Sequence, residues 1–480
     1  MKKTKIVATI SDLRAEVEFI RQLYDAGANV IRLNTAHQSV ESSKKILQNI
    51  RAVSNTIPVM IDTKGPELRT CKVIEEFMLK EGSQISLLGD TDGVSSPDCI
   101  AVRYNNLVND IPVGSSVLLD DGSIELKVID KRDNRLICVA LNSGIVKSRK
   151  SVNVPGVTLS LPALNPKDLS YIQFAIEHDI DFIAHSFVRG KEDLLEIQKI
   201  LDAHQSQVKL IAKIENPEGV ANIDEILDHC YGVMIARGDL AVEIPYENIP
   251  IIQRTLINKC IERRKPVIVA TQMLHSMINN PRPTRAEVSD IATAIYNEAD
   301  AVMLSNETAT GYYPVEAVKT MVKVIEAVEK DLKPFNDVEP TALTSAISAY
   351  LTKYAVKAAA NLDAKAIITD TASGRTARNL ASYRGMKPVY ARCYNHRVVR
   401  ELALSYGIIP EYMDSRDTTA EFITETLSDM IAKKAVSLPD LVVVVAGNFG
   451  THHGASFIEI STVENLLRTN SNKVLANEIY

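Results

Sequence analysis

Tryptophan is absent from the 480 residues, and aromatic side chains make up only 5% of them. The missing indole removes a fluorescent probe and decides nothing about function. Cysteine is scarce: six residues, at 71, 99, 138, 230, 260 and 393, with no CxxC among them. That scatter argues against a structural zinc site and fits a reduced, cytoplasmic protein. No apolar run approaches the roughly 20 residues of a membrane span. Met1-Lys2-Lys3-Thr4-Lys5 leads directly into a strand-like run, with no signal-peptide core of the needed length. Charge of neither sign dominates. The 54 Lys and Arg against 60 Asp and Glu give a formal −6, which argues against broad nucleic-acid binding but leaves room for a local basic pocket. Internal repeats, low-complexity tracts and long charge blocks are also missing. What remains is ordinary globular usage, 46% hydrophobic and 24% charged, in a chain long enough for about three domains.

Short β-rich runs alternate with helical patterns. Eight such runs precede residue 335: Lys5–Ile10, Asn29–Leu33, Val59–Asp62, Phe182–His185, Lys209–Ile214, Gly232–Ala236, Pro266–Ala270 and Ala301–Leu304. Most are short and apolar, as parallel strands covered on both faces should be. Amphipathic stretches lie between them, such as Arg14–Ala26, Lys191–His204 and Arg285–Asn297. The pattern predicts an α/β fold, a (β/α)₈ TIM barrel, with an open doubly wound sheet as the competing arrangement. The rhythm breaks after the third strand. Residues 71–154 carry β-like pieces divided by turn signals such as Asp120-Asp121-Gly122, which predicts an inserted small β-barrel lid domain. The expected layout is a barrel over 1–70 and 155–340, the lid over 71–154, and a C-terminal α/β domain over 341–480. In that last unit, helices Ser345–Ala360, Ala377–Arg384, His396–Tyr406 and Ala420–Lys434 alternate with strands Ala366–Thr369, Val389–Ala391 and Leu441–Ala446.

Active sites of such barrels sit where the strands end at their C-terminal side. Strand two ends in Arg32-Leu33-Asn34-Thr35-Ala36-His37, and strand three in Asp62-Thr63-Lys64-Gly65-Pro66-Glu67-Leu68-Arg69. Strand five ends in Lys213-Ile214-Glu215-Asn216, strand six in Ala236-Arg237-Gly238-Asp239, strand seven in Thr271-Gln272 and strand eight in Ser305-Asn306-Glu307-Thr308. Glu215 and Asp239 are hard carboxylates on neighbouring strands, suited to one Mg²⁺ that keeps waters and substrate oxygens. Lys213, two residues from Glu215, points to the same face and can neutralise a phosphoryl group in transfer. Arg32 and Arg69 offer planar forks to phosphate oxygens. Each feature has a plainer reading. A Lys-x-Glu pair on a strand is commonly a structural ion pair, and an Asp after Arg-Gly is commonly a loop turn. Their convergence on one rim argues for chemistry.

The motifs resemble the pyruvate kinase family over nearly the whole chain. They include Thr4-Lys5-Ile6-Val7-Ala8-Thr9-Ile10, Ile61-Asp62-Thr63-Lys64-Gly65-Pro66-Glu67-Leu68-Arg69-Thr70, Lys213-Ile214-Glu215-Asn216, Ala236-Arg237-Gly238-Asp239-Leu240 and Pro281-Arg282-Pro283-Thr284-Arg285-Ala286-Glu287, in that order. The resemblance implies phosphoryl transfer from phosphoenolpyruvate to ADP, through an enolate that is then protonated. Glu215 and Asp239 would hold Mg²⁺ or Mn²⁺, and Lys213 would stabilise the transferring group. Amides of Ala236, Arg237 and Gly238 would receive the substrate carboxylate, and Thr271 would serve enolate protonation. Arg32 would contact phosphate, with Asn34, His37, Arg69 and Lys150 on the nucleotide side. Asn34, Asp62 and Thr63 match ligands of K⁺. A homotetramer with allosteric control is also implied. Thr371, Ser373, Gly374, Arg375 and Thr376 form a loop before a helix that would hold an effector phosphate, completed by Gly447–Gly454 or not.

Departures from the family pattern are local. Ala36 stands where the family usually has a Ser that helps bind K⁺, Ser11-Asp12 replaces a Gly-Pro, and His275 and Asn306 replace a Glu and a Gly. Two rival functions share some of these residues. A Mg²⁺-dependent lyase or aldolase acting on pyruvate-like acids would use Glu215 and Asp239, but would need neither a lid nor Arg69. A regulatory paralogue without turnover would be expected to lose Lys213 or a metal carboxylate, and all are present.

Overall fold

Eight parallel strands close on themselves in the computed structural model, which describes residues 2–36, 38–339, 346–447 and 455–477. They are β1 (Lys5–Ile10), β2 (Val30–Asn34), β3 (Val59–Asp62), β4 (Phe182–His185), β5 (Lys209–Ile214), β6 (Gly232–Ala236), β7 (Val267–Ala270) and β8 (Ala301–Leu304). Each pairs with the next, and β8 returns to β1 with Lys5 opposite Ala301. The open-sheet alternative is thereby excluded. Alternation along the strands sorts their side chains into two layers. Val7, Val30, Met60, Phe182, Ile211, Met234 and Ile268 fill the barrel interior, while Ile6, Ile31, Ile61, Ile183 and Val233 face the surrounding helices.

The helices start where local chemistry favours them. Thr284 caps helix Arg285–Tyr296, with Glu287 reaching back in a capping box. Glu287 also accepts from the Ser276 amide at 2.6 Å, so the cap fixes the loop after β7. Asn165 caps helix Pro166–Glu177 in the same way through Asp168. Asp168 in turn accepts from the amides of Lys64 at 2.7 Å and Gly65 at 3.3 Å. That carboxylate therefore positions the segment leaving β3.

The insert is a seven-stranded sheet with its own core, in the order Leu68–Arg69, Ser151–Asn153, Ser116–Leu119, Ile124–Arg132, Arg135–Ala140, Gln84–Gly89, Cys99–Val102. A bridge between Thr70 and Val102 brings its two edges together. Asp120, Asp121 and Gly122 all have positive φ in the turn between two of its strands.

The C-terminal sheet comprises β9 (Ala366–Thr371), β10 (Val389–Cys393), β11 (Ile408–Tyr412), β12 (Leu441–Ala446) and β13 (Phe457–Thr462), in the order β11-β10-β9-β12-β13. Four strands are parallel and β13 is antiparallel. Two differences from the sequence expectation stand out. The helix expected over His396–Tyr406 ends at Leu402, and β11 follows it. β11 contains Pro410, which a central strand rejects but an edge strand accepts. Helix Arg375–Ser382 also begins two residues earlier than expected. Leu404 of this domain is fully buried in the cluster that fills the barrel interior. Ion pairs reinforce that contact: Arg400 reaches Asp181 at 2.5 Å, and Arg384 reaches Asp300 at 2.7 Å.

Candidate active site

The rim residues named from the sequence meet at the C-terminal ends of β2, β3, β5 and β6. Lys213 Nζ lies 2.7 Å from Ser186 Oγ, 3.0 Å from Glu215 Oε1 and 3.2 Å from Asp62 Oδ2. Arg32 grips Asp62 with both arms of its fork, Nε at 2.9 Å and Nη2 at 2.5 Å, and reaches Thr9 Oγ1 with Nη1 at 3.0 Å. All four charged groups are buried, with exposures of 9% for Lys213, 7% for Arg32, 2% for Asp62 and 1% for Glu215. Asp239 completes the group from an exposed position on the next strand's end.

Burial disfavours every charge in this cluster, and neighbours decide which survive. Burial opposes the Lys213 ammonium, but Glu215 and Asp62 outweigh it and hold it above the usual lysine range. Burial and the nearby Asp239 push Glu215 up to about 7. Arg32 and Lys213 overcome burial at Asp62 and lower it. Three carboxylates thus face two cations. Glu215 Oε2 accepts from the Phe187 amide at 2.6 Å. That donor set, hard oxygens with one carboxylate open to solvent, fits a divalent cation that retains waters. No group of three His, Cys, Asp or Glu suited to a metal occurs among the described residues, so other ligands would come from solvent or substrate.

Arg237-Gly238-Asp239 is not the loop turn that a bare Arg-Gly-Asp suggests. Arg237 opens helix Arg237–Glu243, so Asp239 lies in the first turn. The Arg237 guanidinium points away from the cluster. It holds Asp290 at 2.6 Å and donates to the Thr271 carbonyl at 2.7 Å. Thr271 needs that hold, because its φ is +71°, in the left-handed region that a β-branched residue avoids. Its hydroxyl accepts from the Gly238 amide at 2.8 Å and donates to the Ala270 carbonyl at 2.6 Å. Thr271 and the helix N-terminus are therefore one unit.

Other named residues are held elsewhere. Arg69 pairs with Glu67 at 2.6 Å and donates to the Arg149 carbonyl at 2.8 Å. It lines a cavity of about 450 Å³ under the lid, together with Ala36, Lys64, Glu67, Arg103 and Arg149. Lys150 pairs with Asp120 of the lid at 2.9 Å instead of lining that cavity. Asn34 Oδ1 accepts from the Ala36 amide at 3.2 Å. Thr63 Oγ1 meets His185 Nδ1 at 2.9 Å and accepts from the Ser186 amide at 3.0 Å. Glu307 is structural, its carboxylate taken by the amides of Leu274 and Ser305. In the C-terminal loop, Thr371 Oγ1 accepts from the Gly374 amide at 2.9 Å, and Arg375 and Thr376 open the next helix behind the exposed Ser373. His37 and residues 448–454 lie outside the described residues.

Sequence reasoning missed Ser186, Arg103 and Arg149. Ser186 follows β4 directly and could have been read as that strand's rim residue. Arg103 and Arg149 reach the cavity only through pairing within the lid, which leaves no local signal.

Residues 1–318 match the model of the pyruvate kinase barrel domain, and residues 350–461 match that of the pyruvate kinase alpha/beta domain. The chain belongs to the pyruvate kinase family. It is 46% identical to the pyruvate kinase of Borreliella burgdorferi over 472 residues, covering 97% of this chain and 98% of that one. It is 43% identical to the pyruvate kinase of Geobacillus stearothermophilus over 482 residues, covering 97% of this chain and 81% of the relative. The crystal structure of a pyruvate kinase from Cryptosporidium parvum superposes with a TM-score of 0.90 at 34% identity, over 96% of each chain. Like other pyruvate kinases, this chain is a phosphotransferase with the barrel, the inserted barrel-like sheet and the α/β domain. No helix among the described residues is long and apolar enough to cross a membrane.

Proposed function

We propose that the chain transfers the phosphoryl group of phosphoenolpyruvate to ADP, giving ATP and pyruvate in the last step of glycolysis. The observation that carries this reading is the buried group of Arg32, Asp62, Lys213 and Glu215 beside Asp239 at the barrel rim. Glu215 and Asp239 would hold Mg²⁺ or Mn²⁺, which when bound supplies positive charge to phosphoryl and enolate oxygens. Lys213 neutralises charge on the phosphoryl group during transfer and on the enolate oxygen after it. Arg32, fixed by Asp62 and Thr9, presents its remaining edge to the phosphate. The amides of the helix that opens at Arg237 receive the substrate carboxylate after Ala236. Thr271 Oγ1, beside the Gly238 amide, positions the water that protonates the enolate. Purified protein with phosphoenolpyruvate, ADP and Mg²⁺ should form pyruvate and ATP in a coupled assay, and absence of both products would refute the reading.

The nucleotide phosphates would enter the cavity of Lys64, Arg69, Arg103 and Arg149, and Asn34 and His37 are the further nucleotide contacts that the family resemblance implies. Lys150 would join them by leaving Asp120 as the lid closes. A charged hydrogen bond to phosphate contributes about 1.5–3 kcal/mol. Arg103→Ala is therefore expected to raise the KM for ADP about tenfold or more while the KM for phosphoenolpyruvate stays near wild type. An unchanged KM for ADP would remove Arg103 from the site.

Asn34, Asp62 and Thr63 are the proposed K⁺ ligands. Protein donors already engage much of this oxygen set: Arg32 and Lys213 take the Asp62 carboxylate, and the Thr35 hydroxyl donates to the Asp62 carbonyl. Ala36 adds no side-chain oxygen. K⁺ should therefore activate at a lower concentration in Ala36→Ser than in wild type, read by titrating K⁺ against Na⁺ in the coupled assay. Coincident curves would contradict this account of Ala36. Cytoplasmic location, a homotetramer and allosteric control complete the proposal, and sedimentation of the purified chain tests the assembly.

A further inference from the structure

His185 is the last residue of β4 and directly precedes Ser186. Ala184 lines the barrel interior, and Ile183 faces the helices. Alternation therefore sends His185 to the outer side, behind the rim, and turns Ser186 inward. β3 supplies its neighbour. The Thr63 amide donates to the Ala184 carbonyl at 2.9 Å, so Thr63 and His185 stand side by side across the strand pair. Both are buried, at 3% and 1% exposure.

We propose that His185 is a positioning residue for phosphoryl transfer, acting on Lys213 through Thr63 and Ser186. The proposal rests on the phosphoryl-transfer reading above. Hydrogen-bond accounting gives the chain its direction. Thr63 Oγ1 lies 2.9 Å from His185 Nδ1 and accepts from the Ser186 amide at 3.0 Å. Burial lowers the imidazole to about 4, so the ring is neutral near pH 7. With the ring proton on Nε2, Nδ1 accepts the single Thr63 hydroxyl proton, and a Thr63 lone pair is left facing the Ser186 amide. The Ser186 hydroxyl donates its own proton to the Thr63 carbonyl at 2.8 Å. Only lone pairs then remain on Ser186 Oγ, and Lys213 Nζ donates to it at 2.7 Å. Thr63 thus holds Ser186 at two points, its amide and its hydroxyl, and His185 holds Thr63.

The Ser186 contact differs in kind from the other two that Lys213 makes. Asp62 is shared with Arg32, and Glu215 is a proposed metal ligand. Ser186 is the neutral partner, and its hold does not depend on how charge is distributed in the site. A misplacement of about 1 Å can cost about 10²-fold in rate. Fixing Ser186 from behind therefore fixes the ammonium where the moving oxygens arrive.

Two substitutions separate this role from space-filling. His185→Leu keeps much of the volume and removes the acceptor. His185→Asn loses volume and keeps an acceptor where Nδ1 stands. Positioning predicts that His185→Leu lowers kcat about fivefold or more, with the KM for phosphoenolpyruvate near wild type, and that His185→Asn restores most of the rate. Space-filling predicts the reverse order, and that order would overturn the proposal, as would equal losses in the two variants. Adding His185→Leu to Lys213→Met should slow turnover no further, since the effect travels through the lysine. A further loss as large as the one in wild type would overturn that route. Should His185→Leu fail to fold, His185→Gln takes its place, because its amide stands where Nε2 does and misses Thr63. Gln is then expected to be slower than Asn, and equal rates would overturn the proposal. Wild type is the control that separates the two readings. An inactive wild type would overturn phosphoryl transfer and this proposal with it, whereas an active wild type matched by His185→Leu would overturn the proposal alone.

Discussion

Lys213→Met should lower kcat by about 10³-fold or more while leaving divalent-cation binding intact. Methionine has nearly the length of lysine and packs readily, so the change removes charge more than volume. What disappears is the only ammonium within 3.2 Å of both Asp62 and Glu215 among the described residues. In the ground state that ammonium balances carboxylates. In the proposed transfer it would face oxygens whose charge is moving, where a fixed cation in a dry site has its greatest effect. The loss should therefore fall on kcat and on kcat/KM together. Binding of Mn²⁺, followed by electron paramagnetic resonance, should stay the same or tighten, since a cation competing for Glu215 is gone. Near-normal turnover in the variant would show that the role given to Lys213 is wrong. Lost Mn²⁺ binding would show that the lysine organises the carboxylates instead.

This cluster could be expected from sequence because parallel barrel strands announce themselves. β3, β4, β5, β6 and β8 are short apolar runs, and the rim residues lie in the last two positions of a run or just after it. The boundaries moved by one residue at β2 and β7, where Asn29 and Pro266 lie outside the paired segment. Other features depend on contacts that no local pattern encodes. Pro410 hides β11, which is tolerable only because that strand ends up at an edge. Phe457–Thr462 is half-exposed and antiparallel, and it lacks the continuous apolar signature of its neighbours. The direction of the Arg237 side chain is set by Asp290, 53 residues away. Thr271 gives no hint of its positive φ, which is held by Arg237 and Gly238 from the helix that follows β6. Lys150 and Arg149 are adjacent in sequence, yet the lid turns one to Asp120 and the other into the cavity beside Arg69.

Arg384→Met tests how firmly the C-terminal domain is built into the barrel, and it should give the largest loss of stability of the substitutions considered. Arg384 holds Asp300 with Nη1 at 3.1 Å and Nη2 at 2.7 Å, and its Nε donates to the Glu298 carbonyl at 3.0 Å. Both partners are 4% exposed in their side chains. Asp300 also accepts from the amides of Val267 at 3.1 Å and Tyr406 at 3.0 Å, so one carboxylate joins β7, β8 and the C-terminal domain. The intact pair need not be strongly stabilising, because burying both charges offsets much of their attraction. Removing one partner is different: it leaves a buried carboxylate with amide donors only, at about 3–5 kcal/mol. The apparent Tm should fall by roughly 5–10 °C. The double variant Asp300→Asn/Arg384→Met should recover part of that loss, because the neutral amide no longer needs the guanidinium. Activity at low temperature should change little, since the pair lies at the opposite end of the barrel from Lys213. A Tm within a degree of wild type would show that the two domains do not depend on this contact. A double variant less stable than Arg384→Met would show that Asp300 acts through its amide contacts and not through the ion pair.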